Sequence, residues 1–137
     1  MGQHRARNRE LSVISSPRLL HFEMSGAALI VAPQGDCSSL EIDILHAELQ
    51  EILEQIATNS VVGLVVDLER APYFGSTMLG ALIRLWRSMS LMRGRLALCN
   101  VSAAERDVLN ATRLDQVWDI YPTRSAALEA FRPAAKS

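Results

Sequence analysis

The sequence predicts a single α/β domain: a mixed, mostly parallel sheet of about five strands with four helices, in the order β-β-α-β-α-β-α-β-α. Three observations carry that expectation. Short apolar runs alternate with stretches in which apolar residues recur every three or four positions. One run, residues 61–68 (VVGLVVDL), is continuously apolar, as a strand covered on both faces is. The chain's 137 residues, 49% of them hydrophobic, suit one core.

Two short apolar runs, 19–24 and 28–33, flank Ser25-Gly26, a turn signal, and read as a hairpin. After the break at Gly35-Asp36, Ser38 and Glu41 have the spacing of a capping box, which satisfies free amides at a helix start. Ile42, Leu45, Leu49, Ile52, Leu53 and Ile56 then mark an amphipathic helix over about 39–57. Strand 61–68 follows. A second helix is predicted over 76–92, stopped by Gly94. On a wheel centred on Arg84, Thr77, Gly80, Arg84, Arg87 and Ser88 share a polar arc, while Leu79, Leu82, Ile83 and Trp86 point inward. Strand 95–101 leads to a second capping box, Ser102 with Glu105, opening a helix over 103–113. The short strand 117–121 precedes a final helix over 124–131, capped by Thr123 and stopped by Pro133. Helices between strands imply right-handed crossovers and hence parallel pairing. The domain is expected over 18–132, between a flexible basic arm (1–17, with Arg5, Arg7 and Arg9) and a short tail (133–137).

Fourteen basic against fifteen acidic residues leave a net charge of -1, which argues against a direct nucleic-acid binder. Cys37 and Cys99 lie far apart and neither sits in a C-x-x-C, so the sequence favours buried thiols in a reducing cytoplasm over a disulfide framework or a zinc site. No apolar run reaches the ~20 residues of a membrane-spanning helix. Charge is segregated: residues 19–69 hold nine acidic side chains and no Lys or Arg, residues 70–104 five arginines and no acid. Two solvated faces of opposite sign are the plainer reading; a bipolar surface that orients a partner or allows weak self-association is the sharper one.

No catalytic constellation emerges. His4, His21 and His46 lack the Cys, Ser or metal-ligand spacing that would give them chemistry, so no enzyme activity, metal or cofactor is expected. Residues 75–80 (GSTMLG) follow a buried strand and open a helix like half of a phosphate loop. Ala81-Leu82 then stands where that motif needs Lys-Ser/Thr, so nucleotide binding is rejected. The same segment places the Thr77 hydroxyl outward at a helix start, where added negative charge is tolerated. The plainer reading is that Ser76 and Thr77 cap the helix.

The stretch VVGLVVDLERAPYFGSTMLGALIRLWRSM resembles the signature of STAS domains, the anti-sigma factor antagonist family. In that family a buried strand ending in Asp leads to Asp-Ser-Ser/Thr-Gly-Leu-Gly at a helix start. RGRLALCNVSAAERDVLNATRLDQVWDIYPTRSAALEAF resembles the usual continuation. The resemblance implies a cytoplasmic signalling protein that binds an anti-sigma factor of the serine/threonine kinase type. Phosphorylation of a helix-start hydroxyl ends that binding and a phosphatase restores it. By position, Thr77 matches the acceptor and Ser76, the alternative, the hydroxyl before it; Leu79 and Gly80 match the Leu-Gly that follows. Gly75 replaces the family's Asp and Met78 its Gly. The expected partner surface is Tyr73, Phe74, Gly75, Ser76, Thr77, Met78, Gly80 and Arg84. An unswitched scaffold subunit of a stress-signalling or transporter assembly is the alternative.

Overall fold

A computed structural model describes residues 19–35 and 42–131 of the chain. The arm 1–17, the tail 133–137, Cys37 and the Ser38/Glu41 capping box lie outside the described residues. Strands β1 (Leu20–Ser25) and β2 (Ala28–Pro33) precede helix α1 (Ile42–Thr58). Then come β3 (Gly63–Asp67), α2 (Ser76–Leu91), β4 (Arg95–Cys99) and α3 (Ala103–Ala111). A 3-10 turn (Leu114–Gln116), β5 (Asp119–Tyr121) and α4 (Arg124–Ala130) complete the order. It is the expected element order, with β3, β4 and β5 two or three residues shorter than expected.

Strand order in the sheet follows chain order, β1-β2-β3-β4-β5. The hairpin β1–β2 is antiparallel, with Ser25 opposite Ala28 and Gly26 at φ 62° supplying the turn. The other three pairs are parallel. β3 lies at the centre and every residue of it is buried, as its unbroken apolar run requires.

Side chains alternate along these strands and feed two cores. Leu29, Val31, Leu64, Val66, Leu96 and Leu98 face α1, α2 and α3 in the larger one. Ile30, Val65 and Cys99 face α4, where Ala127 and the half-buried Phe131 meet them. A Cβ on Gly63 would lie 2.4 Å from the Phe131 ring, so this glycine is the seat of α4 on the sheet.

Helix α2 departs from the expected wheel. Its buried face is Met78, Ala81, Leu82, Leu85 and Met89, while Leu79, Ile83 and Trp86 are half-buried flanks. The buried arc is thereby turned by roughly 65° from the direction opposite Arg84, with Met78 near its centre. Trp86 keeps an aromatic partner, meeting Trp118 edge-on at 6.3 Å. The end of α2 also differs from expectation. Arg93, not Gly94, takes the left-handed conformation (φ 64°). Gly94 is needed for space instead: a Cβ there would lie 2.4 Å from Met89 Cε and 3.0 Å from the Val62 carbonyl oxygen.

Candidate functional site

The loop from β3 to α2 is pinned along its length. Leu68 N donates to the Cys99 carbonyl (3.0 Å) and Ala71 N to the Leu68 carbonyl (3.1 Å). Ser102 Oγ donates to the Pro72 carbonyl at 2.6 Å, while the same hydroxyl accepts from Glu105 N at 3.1 Å. The predicted capping box of α3 therefore also holds the loop. At its start Asp67, only 3% exposed, accepts from Asn100 Nδ2 (2.9 Å), Glu69 N (3.0 Å) and Arg124 Nε (2.8 Å). Burial alone would raise the Asp67 pKa, but the Asn100, Arg124 and Glu69 hydrogen bonds together bring it below the usual carboxylate value. Beneath this latch burial pushes the Cys99 thiol up to about 12, with the Asp67 charge adding to it.

This frame presents Tyr73 (57% exposed), Ser76 and Gly80 to solvent and leaves Gly75 and Thr77 partly accessible. Phe74 and Met78 do not belong to that surface: at 8% and 1% exposure they are core residues. Their expected role as partner contacts is corrected, because apolar side chains at a loop end and a first helical turn gain more from burial than from solvent. Gly75 is the N-cap of α2 and no side chain closes its first turn, so Ser76 and Thr77 do not serve as its cap. Thr77 also borders a groove of about 260 Å³ between α1 and α2. Leu45, His46 and Leu49 line one wall, and Ser76, Thr77, Gly80, Ala81 and Arg84 the other.

The STAS domain family profile matches residues 22–127. The chain belongs to the STAS family. Solved structures agree on its fold. An anti-sigma-factor antagonist (STAS) domain protein from Planctomyces limnophilus superposes with a TM-score of 0.70 at 25% identity, over 81% of this chain and 96% of the other. A Thermotoga maritima protein described as an anti-sigma factor antagonist gives 0.72 at 22% identity, over 83% and 95%. The Bacillus cell fate determinant SpoIIAA in its phosphorylated form gives 0.62 at 19% identity, over 82% and 99%. No curated protein sequence matches the chain.

In this STAS domain no helix among the described residues is long and apolar enough to cross a membrane. No group of His, Cys, Asp and Glu among them could hold a metal ion. A second cleft of about 380 Å³ lies on the α4 side, beside β1 and β2, and includes His21, Arg70 and Arg124. Its Arg124 is already engaged by Asp67 and, at 3.3 Å, by Glu23. Two features were beyond sequence reasoning. Arg124 stands 57 residues from Asp67, and His46, an isolated surface histidine in the sequence, shares a groove with Thr77.

Proposed function

We propose that this STAS domain is an anti-sigma factor antagonist. Unphosphorylated, it binds an anti-sigma factor of the serine/threonine kinase type in the cytoplasm; phosphorylation of Thr77 ends the binding and a phosphatase restores it. The observation that carries the reading is an accessible hydroxyl pair, Ser76 and Thr77, that the helix does not use as its cap, on a loop pinned at Leu68, Ala71 and Pro72. A pinned loop loses little conformational entropy on binding. The partner surface is Tyr73, Gly75, Ser76, Thr77, Gly80 and Arg84, with Phe74 and Met78 supporting it from below. A phosphate on Thr77 adds about -1.5 to -2 charges, which a packed partner surface would have to desolvate.

The test is a binding assay of the purified chain with its cognate anti-sigma kinase, with and without ATP and magnesium. Binding without ATP, and its loss as phosphate appears on Thr77, are expected. Thr77→Asp should weaken binding more than about a hundredfold, a loss of ~3 kcal/mol. Thr77→Ala should still bind, and Ser76→Ala should bind and accept phosphate. Phosphate on Ser76, or wild-type binding by Thr77→Asp, would overturn the assignment. If no kinase acts on the chain, the unswitched scaffold takes its place, with Gly75 offering no carboxylate where the family carries Asp.

A further inference from the structure

We propose that the groove between α1 and α2 is the seat of the Thr77 phosphate, with His46 on one wall and Arg84 on the other as its donors. The inference rests on the reading of Thr77 as the phosphorylated residue. Arg84 is seven residues from Thr77, roughly 10 Å along the helix axis at 1.5 Å per residue. Side chains on a helix lean toward its N-terminus, however, and Arg84 borders the same groove as Thr77. His46 reaches it from the other helix. These two are the ionisable side chains among the residues that line it.

The surroundings suit an anion. Leu45, Leu49 and Ala81 make the buried floor apolar, which strengthens any charge-assisted hydrogen bond above it. Gly80 leaves the groove open one turn beyond Thr77, where a Cβ would meet nothing within 4 Å. The α1 carboxylate nearest in sequence, Glu48, is turned away to the Leu19 and Leu20 amides (2.9 and 2.6 Å). A phosphate carries three acceptor oxygens and a guanidinium can meet two of them side by side. Phosphorylation would then draw Arg84 from the partner surface into the groove, so the switch removes a contact as well as adding charge.

The test needs no kinase. Phosphothreonine is installed at position 77 during translation of the full chain, and its phosphate is titrated by phosphorus NMR. Nearby donors favour the dianion, so the second phosphate pKa should fall below its ordinary value of about 6. His46→Gln and Arg84→Gln should each raise the midpoint by about half a pH unit, roughly a threefold change in proton affinity. Arg87→Gln, exposed on the same helix but outside the groove, should leave it unmoved. A midpoint equal in the wild type, His46→Gln and Arg84→Gln would overturn the proposal, as would an equal effect from Arg87→Gln. That failure leaves the switch itself standing, whereas a chain that no kinase phosphorylates ends the switch reading without altering this titration.

Discussion

Glu105 is a buried carboxyl with one oxygen engaged: Oε1 accepts from Ser102 N at 3.0 Å, while Oε2 is buried without a hydrogen-bond partner. Desolvation pushes its pKa above the usual 4.5, outweighing the Ser102 hydrogen bonds. A carboxyl with a raised folded pKa stabilises the fold while protonated and withdraws that stability as pH climbs through the folded value. Glu105→Gln keeps an oxygen for the Ser102 amide, so its melting temperature should equal or exceed the wild type at pH 7. The variant's relative advantage should shrink at pH 4; an equal difference at both pH values would exclude the effect. On α2, Leu82→Asp should unfold the domain or cost several kcal/mol, since an unpaired carboxylate replaces a side chain 1% exposed. Arg84→Ala, on the exposed side, should melt within about 0.5 kcal/mol of wild type. Thermal melts of the two decide whether the helix register is as described.

At the scale of elements, α4 is held to the sheet by one apolar seat and one polar latch. The seat is Phe131 over Gly63, with Arg95 stacked on the same ring at 5.6 Å. Gly63→Val should therefore displace α4 and lower stability by about 1–3 kcal/mol, as overpacking does. The latch is Asp67 with Arg124 and Asn100. Arg124→Ala leaves Asp67 buried with one partner fewer. The guanidinium is 39% exposed and partly screened, so the expected loss is about 1–2 kcal/mol. Because the folded pKa of Asp67 lies below its ordinary 3.8, the latch contributes fully above that value and fails as pH falls through the lower one. The gap between wild type and Arg124→Ala should narrow in acid melts below about pH 4. In a Cys37→Ser background, Cys99 should react slowly with thiol reagents at pH 8 and faster once Arg124→Ala loosens the cover above it.

Across the whole molecule, what was legible in the sequence is what neighbouring residues decide among themselves. The apolar alternation yields the element order, and the Ser102–Glu105 and Thr123 caps form as their spacing requires. The family signature locates the Ser76–Thr77 turn. What was not legible depends on residues far apart in the chain. The tilt of α2 is set by which side chains find a place in the core: Met78, Ala81, Leu85 and Met89 join Leu82 there, while Leu79, Ile83 and Trp86 become its flanks. The groove exists because α1 lies beside α2, so His46 gains a neighbourhood that no spacing could report. The latch joins the end of β3 to the start of α4, and its only local sign is a carboxylate at the end of an apolar strand.

The agreement between strand order and chain order bears on how the domain assembles. Each new strand pairs with the one made just before it, so every ladder closes only the loop of its own connection, and loop closure is entropically cheapest when short. The β1–β2 hairpin can act as a template to which β3, β4 and β5 add in turn. Arg124 breaks this sequence: its contacts reach back 57 residues to Asp67 and 101 to Glu23, so they close only when the rest is in place. Arg124→Ala should accordingly leave the refolding rate unchanged and place nearly all of its destabilisation in faster unfolding. Stopped-flow refolding and unfolding across a denaturant series measures this directly, and a slowed folding limb would mean that α4 docks early.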